Sequence, residues 1–482
     1  MKKIAIFIFV LFIPFFVFAQ ENSSDLENDL FGGDEDTLIS AEEARSDSKS
    51  NLKFKADLEK ASLSLESKKL RIGGSLSSSM GINYAWVDPY SKKDDYLKSF
   101  KDGKGTFNTT LNGSLFFDAR PNEDLKLYGK FLFGFPFEKS LSGALTVPKN
   151  SFGPLPPNDI ILPIGVNGAA NIKIQELYTD FSAKNIAFFR FGKHAVKWGT
   201  GYFYSPADVI NISRIDPQDP TADREGGISL RTHIIIPKTQ HNIWLYLLPP
   251  EQRDGFDPKY TAGAAKGEFV VGNWELGFGG WYKYEKAPRL ITTVSGSIAG
   301  KVAVFGEGVF AWGSDYTYYK ADMSSYTEKN KPFFQATLGG SYSNADTNTT
   351  IALQYFYNGF GYSNTDVSTS ILEKAEDPVS LSDASFRKKL QNVLAMGNRG
   401  QHYIALNISQ NKLGTDKLSL NLFQQFAISE LEGFSKLTLN WKIYKFASMS
   451  TGPSFSYPLS PSSKTKGEVR YSLSFRLGGG TF

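Results

Sequence analysis

The sequence predicts an all-β protein, a transmembrane antiparallel up-and-down β-barrel of about 18 strands. Between Leu70 and Trp86, one set of alternate positions is mostly apolar, whereas the other set is small and polar. Successive side chains of a strand point to opposite faces, so this period of two indicates a strand between two different surroundings. The pattern recurs along a chain that begins with an export-like segment and contains no cysteine.

The amino-terminal residues have the features of a secretory signal. Lys2 and Lys3 precede an apolar run from Ile4 to Phe18, and Ala19 provides a small-residue cleavage site. We therefore expect residues 1–19 to be a signal peptide, with an uncleaved anchor as the alternative. No later run reaches the ~18 to 20 apolar residues of a membrane helix, and only helices and closed barrels satisfy their backbone in lipid.

Acidic residues are concentrated directly after this segment. Residues 20–50 contain ten Asp and Glu against two basic residues, with little apolar content. This composition is typical of disorder, so residues 20–68 are predicted to be a disordered acidic periplasmic tail and residues 69–482 the barrel. The tail is either a solvated spacer or a strip that docks on a basic partner or on the barrel mouth. Residues 51–482 retain 49 Lys and Arg against 39 Asp and Glu.

Eighteen segments show the alternation, and short polar connections alternate with long ones. In an outer-membrane barrel, short turns are expected at the periplasmic end and long loops at the outer end, and the strand number is even. Fourteen or sixteen strands is the alternative if weak segments are loops. The weakest are Arg289–Ala299 and Ala447–Tyr457. The second contains Pro453, which suits an edge or a bulge better than a central strand. The predicted strands are 70–86, 107–119, 125–135, 172–183, 186–195, 226–236, 242–248, 260–271, 274–285, 289–299, 302–312, 333–343, 348–357, 401–409, 418–429, 435–444, 447–457 and 468–477.

The last predicted strand alternates apolar and polar residues from Val469 to Leu477, and the sequence stops at Phe482. This resembles the closing strand of Gram-negative outer-membrane proteins, in which a terminal aromatic residue serves as an assembly signal. The resemblance implies recognition by the barrel assembly machinery through Phe482. The run Gly478–Gly480 departs from the pattern because it interrupts the alternation.

A second motif follows the strand that ends near Gly192 and Lys193. It contains Trp198-Gly199-Thr200-Gly201 and then Pro206-Ala207-Asp208. A strand ending in Gly-Lys, followed by Trp-Gly-x-Gly and a Pro-x-Asp loop, resembles a signature of several porin-like barrel families, including alginate-export-type and capsule-assembly-type proteins. The resemblance implies a porin-like outer-membrane barrel and identifies no substrate.

Trp198 has two interpretations within this motif. At the mouth of a pore, its ring would be a stacking platform for sugars or other ring-bearing solutes. Alternatively, it anchors the barrel at the lipid interface or packs within the loop, without contact to a solute.

Five charged residues are candidates for the pore lining: Glu176, Asp180, Arg190, Lys193 and Arg231. All but Lys193 were assigned from the polar phase of their strands. A three-residue connection at 183–185 would place Tyr178 opposite Arg190, with Glu176 and Asp180 as diagonal neighbours. Such a charged ladder would set the ion preference of a pore. The alternative is that a wet interior simply tolerates these charges.

Two long connections carry further signals. Residues 137–171 contain five Pro among Leu and Ile, so we expect this loop to fold over or into the lumen. A helix is predicted near Pro378–Leu394, because proline suits the first helical turn and Phe386, Leu390, Val393 and Leu394 form one stripe. This helix constricts the pore, caps it from outside or packs on the rim.

The predicted function is diffusion of small hydrophilic solutes across the cell outer membrane, since eighteen strands leave a water-filled interior. The basic surplus of the barrel favours a mild preference for anions. One alternative is a non-conducting surface barrel whose loops bind host or envelope ligands. Another is a transporter of hydrophobic compounds with a loop plug. The expected partners are outer-membrane lipid and a lipopolysaccharide-like envelope, and both termini are expected in the periplasm.

Enzymatic functions find no support in the sequence. The four His residues show no two-His metal spacing, and no Ser nucleophile elbow of the G-x-S-x-G type occurs. No cofactor or metal is implied. Basic residues are scattered along strands rather than clustered with aromatics, so nucleic acid is not an expected partner.

Overall fold

A computed structural model gives the fold of the chain. It describes residues 70–87, 103–122, 124–136, 161–163, 169–183, 186–250, 257–375, 377–460 and 467–481, together with residues 89 and 100. The predicted signal peptide, the acidic tail, Phe482 and most of the 137–171 loop lie outside the described residues.

The strands form one closed antiparallel barrel. Strand β1 (Leu70–Val87) pairs with β2 (Lys104–Asn122) along one edge and with the last strand, β21 (Glu468–Thr481), along the other. Eighteen strands build the wall, which confirms the predicted fold class. The other wall strands are β3 (Leu125–Pro136), β5 (Ala169–Ala183), β6 (Ala187–Lys193), β7 (Ile228–Ile235), β8 (Asn242–Leu248), β9 (Ala262–Val271), β10 (Trp274–Tyr282), β11 (Arg289–Ile298), β12 (Val302–Trp312), β15 (Pro332–Asn344), β16 (Thr349–Asn358), β17 (His402–Gln410), β18 (Leu418–Ala427), β19 (Glu432–Tyr444) and β20 (Ala447–Pro458).

Three short strands lie outside this wall. Strand β4 (Ile161–Pro163) pairs with the beginning of β5, and β13 (Thr317–Tyr319) forms a hairpin with β14 (Ser325–Thr327) in the connection between β12 and β15. Both features belong to connections at the end of the barrel that carries the long loops.

Each of the eighteen predicted segments forms a wall strand. The two weakest predictions are central strands, since β11 and β20 each pair on both sides, and Pro453 is accommodated opposite Tyr471. The last strand continues past its predicted end to Thr481. Gly478 adopts a positive φ of 90° there, where the pairing with β1 shifts register.

The alternation separates an apolar outer wall from an inner wall with many polar side chains. Large side chains on the outward phase are exposed, whereas those on the inward phase are buried against the interior. Such a surface fits lipid outside and a wet interior. Along β16, the outward residues are Ile351, Leu353 and Tyr355, and the inward residues are Ala352, Gln354 and Phe356.

The two ends of the barrel differ. One end, called here the short-turn end, carries the connections of two to seven residues that follow β2, β5, β7, β9, β11, β15, β17 and β19, together with the start of β1 and the end of β21. The opposite, long-loop end carries the connections 194–227, 313–331 and 359–401. The wall is uneven, because β1 and β2 have 18 and 19 residues, whereas β6, β7 and β8 have 7, 8 and 7.

Three helices lie in the connection between β16 and β17: α1 (Asp366–Lys374), α2 (Pro378–Ser382) and α3 (Ala384–Ala395). The predicted helix near Pro378 is broken at Asp383, whose carboxylate accepts a hydrogen bond from the Ser385 amide at 2.9 Å and caps α3. Leu390 and Val393 are buried against Tyr319 of the β13–β14 hairpin. None of the described helices has the length and apolar content to span a membrane.

Candidate functional site: a loop folded into the lumen

Residues 194–227, between β6 and β7, form a loop that packs against the inner wall and is called here the lumen loop. Trp198, Phe203 and Ala207 are at most 1% exposed, although the loop residues themselves lie in no helix or strand. Phe203 packs against Phe423 of β18, with ring centroids 5.9 Å apart. The loop therefore reaches from β6 to the far side of the barrel interior.

The first fastening point of the lumen loop is the Glu307 carboxylate on β12. The backbone amides of Thr200 and Gly201 each donate to its Oε1 at 2.5 Å, and the amide of Ala207 donates to Oε2 at 2.9 Å. The Ser205 hydroxyl donates to the same carboxylate at 2.9 Å. A buried carboxylate is thus satisfied entirely by donors of the loop.

The second fastening point is the Gln354 side chain on β16. Its Oε1 accepts hydrogen bonds from the amides of Tyr202, Phe203 and Tyr204 at 3.1, 2.7 and 3.4 Å, and its Nε2 donates to the Tyr204 carbonyl at 2.6 Å. The Tyr204 hydroxyl accepts a hydrogen bond from Gln425 of β18 at 2.6 Å. Two inward side chains on separate strands therefore hold residues 200–207.

The glycines of the Trp-Gly-x-Gly motif are required by this close approach. A Cβ on Gly199 would collide with Ser205 Oγ and with the Glu307 carboxylate, and a Cβ on Gly201 would collide with the Tyr204 carbonyl. Pro206 lies between Ser205 and Ala207, which both bind Glu307. The motif thus encodes a turn that wraps one carboxylate.

Trp198 lies inside the barrel, within the packing of the loop. Its ring meets Tyr246 of β8 edge-on at a centroid distance of 5.0 Å and packs with Ile291 and Val309 of the wall. Its carbonyl accepts a hydrogen bond from Lys266 Nζ at 2.9 Å. With 1% exposure, the ring neither faces lipid nor offers a free stacking surface.

Asp208 closes the motif by binding within the loop. Its carboxylate pairs with Arg224 and accepts hydrogen bonds from Asn211 Nδ2 at 2.9 Å. Burial raises the pKa of Asp208 above its usual value, although Arg224 and Asn211 oppose the shift. The two arms of the loop are therefore joined by a buried ion pair.

Lys193 also fastens the loop. Its ammonium lies 2.6 Å from Glu225 Oε1, and the ammonium of Lys173 on β5 lies 2.8 Å from Glu225 Oε2. Partial burial acts to raise the pKa of Glu225, but the two lysines outweigh it and hold the pKa below its usual value. The second arm of the loop is thus tied to β5 and β6.

Arg190 is buried in the wall beneath the loop. It donates two hydrogen bonds to Asp180, from Nε at 2.7 Å and from Nη2 at 3.0 Å, and its guanidinium lies 4.1 Å from the centroid of the Tyr178 ring. The expected pairing of Arg190 with Tyr178 is wrong. The turn begins one residue later than expected, so Asp180 faces Arg190 directly and Tyr178 faces Gly192.

The remaining pore-lining candidates have different surroundings. Arg231 faces Arg190 across the β6–β7 ladder, and its guanidinium lies 5.5 Å from the Trp244 ring. Glu176 borders the lumen cavity described below. Asp180, Arg190 and Arg231 are thus successive partners across β5, β6 and β7, whereas Glu176 lies beside the cavity and Lys193 binds Glu225.

His194, the first residue of the lumen loop, is fully buried between β5 and β7. Its Nδ1 lies 3.1 Å from the Gly192 carbonyl, and its ring packs edge-on against Tyr178. Burial, and then the nearby charges of Arg190 and Arg231, lower the pKa of His194 to about 3.

A cavity of about 290 Å³ remains between the lumen loop and the wall. Its lining combines both signs of charge with tyrosines, and the pair Lys130–Asp223, at 2.6 Å, bridges wall and loop at its edge. Across the described residues, His, Asp and Glu side chains form no group of three or more that could hold a metal ion. The lining includes Tyr128, Lys130, Glu176, Lys197, Tyr202, Asp223, Arg224, Phe305 and Ser341.

Sequence reasoning missed the two fastening residues, Glu307 and Gln354. Each is a polar residue between two apolar neighbours on the inward phase, Phe305 and Val309 in β12 or Ala352 and Phe356 in β16. A polar residue between apolar inward neighbours is the sequence signal that could have identified Glu307 and Gln354.

No protein-family model matches the chain. No curated protein matches it either. Solved structures similar to it include Salmonella typhi OmpF in complex with daunomycin (8% identity, covering 84% of this chain and 97% of that chain, TM-score 0.39). Others are Pseudomonas aeruginosa OccK8 (OprE) (10% identity, 85% and 98% covered, TM-score 0.43) and Pseudomonas aeruginosa OpdK with vanillate (8% identity, 85% and 99% covered, TM-score 0.43). The barrel assignment rests on the strand pairing of this chain.

Proposed function

We propose that the protein is a porin-like channel of the outer membrane, through which small hydrophilic solutes diffuse, with a mild preference for anions. The observation that carries the proposal is a closed eighteen-strand wall whose loop 194–227 folds inward and still leaves a polar cavity beside it. Eight strands enclose only enough space for side chains, whereas sixteen to eighteen leave an aqueous interior. A loop held by Glu307 and Gln354 narrows that interior.

The outer wall supports a membrane location. Residues such as Leu338, Leu353 and Phe278 are more than half exposed on the outward phase, which in water would cost roughly 1.5–3 kcal/mol for each large apolar side chain.

The charge of the inner wall supports the preference for anions. On the inward phase of the described wall strands there are fourteen basic residues and eight acidic ones, which include the buried Glu307. A positive lumen raises the local concentration of anions. The basic residues are Arg71, Lys104, Arg120, Lys126, Lys130, Lys173, Arg190, Arg231, Lys266, Arg289, Lys436, Lys442, Arg470 and Arg476, and the acidic ones are Asp118, Glu176, Asp180, Glu268, Glu275, Glu307, Glu432 and Glu468.

Reconstitution in a planar bilayer tests the proposal. We expect stable single-channel conductance and, in a tenfold KCl gradient, a reversal potential that indicates chloride preference. The double variant Lys442→Glu/Arg476→Glu, which reverses two exposed inward charges, should shift that potential toward cation preference. The control Lys388→Glu/Lys389→Glu makes the same net change on α3 and should shift it less.

The outcome also separates the alternatives. If the folded barrel never conducts, the proposed channel function is wrong, and a surface protein whose loops bind ligands is favoured. Conductance of the unaltered protein without a chloride-type reversal potential would retain the channel and remove the preference for anions. An unmoved potential in Lys442→Glu/Arg476→Glu would show that these two charges do not set the preference.

A further inference from the structure

The short-turn end of the barrel carries exposed lysines in several of its turns. The acidic residues of the described short turns are Asp124, Asp346 and Asp416. Only Asp416 shares its turn with exposed lysines, and its carboxylate lies 3.8 Å from the Lys412 ammonium. The basic residues, called here the rim lysines, are Lys238 after β7, Lys301 after β11, Lys412 and Lys417 after β17, and Lys445 after β19.

The lumen wall next to this rim is also basic. Lys442 and Arg476 are both exposed on the inward phase, and both pair with Ser448 from opposite sides. Arg71 lies at the beginning of β1, where it faces Asp118. Lys442 and Arg476 therefore add positive charge to the mouth of the lumen at this end, where Asp118 and Glu275 also lie on the inward phase.

The chain itself contains a segment of opposite charge that enters the barrel at this end. Residues 20–50 carry ten acidic and two basic residues, a net charge of −8. They precede Leu70, the first residue of β1, which lies at the short-turn end.

The intervening residues 51–69 are long enough for residues 20–50 to reach the rim lysines. These 19 residues span at most about 65 Å when extended. An eighteen-strand barrel is roughly 35 Å across, given a strand spacing of about 4.8 Å and a tilt near 40°. The segment can therefore reach every rim lysine, and its tethering keeps its effective concentration there in the millimolar range.

We propose that residues 20–50 dock on the rim lysines at the short-turn end. The contact is electrostatic and multivalent: a single exposed ion pair contributes little, so the tether and the number of charges supply the occupancy. It weakens as salt shortens the Debye length from about 10 Å at 0.1 M to about 3 Å at 1 M.

Zero-length crosslinking of carboxylates to lysines tests the docking on the full chain in detergent and in neutral phosphatidylcholine vesicles. We expect crosslinked peptides that join residues 20–50 to the turns at Lys238, Lys301 and Lys417, with a yield that falls at least fivefold between 0.05 and 1 M NaCl. The rim variant, in which Lys238, Lys301, Lys417 and Lys445 are changed to Gln, keeps Lys412, and its yield of crosslinks from residues 20–50 to Lys412 should fall severalfold. A control variant with four exposed lysines of the long-loop end changed to Gln should retain them: Lys286, Lys329, Lys374 and Lys388.

Two results would overturn the proposal. One is an equal yield of crosslinks to Lys412 in the rim variant and in the control. The other is a full yield in neutral vesicles that disappears when a fifth of the lipid is anionic phosphatidylglycerol, because lipid headgroups would then be the true occupant of the rim. Neither measurement requires conductance. The docking can therefore be tested even if the protein proves not to be a channel.

Discussion

Ser205 of the lumen loop donates a hydrogen bond to Glu307 of β12 at 2.9 Å, although 102 residues separate them in the chain. Three backbone amides of the loop converge on the same carboxylate. A buried donor left unsatisfied costs roughly 1–3 kcal/mol, so this one side chain fixes the position of the loop within the lumen.

Replacing that carboxylate is expected to release the loop. In Glu307→Gln, the side-chain NH₂ faces backbone amides that need an acceptor. We expect the packed position of the loop to become less stable, relative to the released loop, by on the order of 3 kcal/mol. Single-channel conductance should rise, and trypsin should cleave at Arg214 and Arg224 faster than in the unaltered protein. Glu275→Gln, the same change on the inward phase of β10, is the control. Unchanged conductance and cleavage in Glu307→Gln would contradict the role of Glu307.

The glycine of the motif offers a second test from the loop side. In Gly201→Ala, the added methyl group collides with the Tyr204 carbonyl, so we expect the same faster cleavage and higher conductance as in Glu307→Gln. Gly227→Ala is the matched control, because a Cβ at that position would lie 3.9 Å from the side chain of Ile212, an ordinary van der Waals contact. Equal behaviour of the two alanine variants would show that close packing at Gly201 is unimportant.

Arg190 is expected to stabilise the wall without setting ion preference. Because Arg190 is 5% exposed and bidentate to Asp180, we expect Arg190→Gln to lower the free energy of unfolding by about 3–5 kcal/mol. Urea unfolding in vesicles measures this, and the exchange Asp180→Arg/Arg190→Asp should restore part of the loss. A large shift of the reversal potential in Arg190→Gln, with unfolding unchanged, would instead assign Arg190 to the pore lining.

Acid is expected to loosen the lumen loop through His194. The pKa of His194 is about 3 in the packed loop, against 6.5 when it is exposed, so the displaced form binds the proton first. Stability of the packed form is therefore full above pH 6.5 and falls as the pH drops from 6.5 toward 3. At pH 5 the open population should be about thirtyfold larger than at pH 7.5.

Hydrogen exchange of the loop amides, corrected for the intrinsic rate at each pH, measures that population. His194→Gln removes the titrating group and should abolish most of the pH dependence, whereas His402→Gln on β17 should leave it in place. A loop that opens equally at pH 7.5 and pH 5 would show that His194 does not control it.

The strands were predictable because their information is local. The alternation in β16 or β21 shows which side chains face outward without knowledge of the partner strand. Register is less local: Ala183 pairs with Ala187 instead of beginning the turn, which places Asp180, rather than Tyr178, opposite Arg190. A one-residue difference in a turn is enough to change every cross-strand pair that follows.

The loop contacts were not predictable in this way. The motif signalled an unusual loop, but its partners Glu307 and Gln354 lie about 100 and 150 residues later in the chain. No local pattern connects Tyr204 with Gln354, because the contact exists only once the barrel has closed. The break of the predicted helix at Asp383 similarly follows from a cap formed by one side chain.

The short strands β6, β7 and β8 have a consequence for the surrounding bilayer. A membrane-crossing strand needs about 9–11 residues, and these three have only 7, 8 and 7, whereas β1 and β2 have 18 and 19. The lipid annulus beside them meets a lower hydrophobic wall, so the acyl chains must compress locally or the whole molecule must incline toward that flank. Lipid thickness thereby acts directly on the flank from which the lumen loop departs.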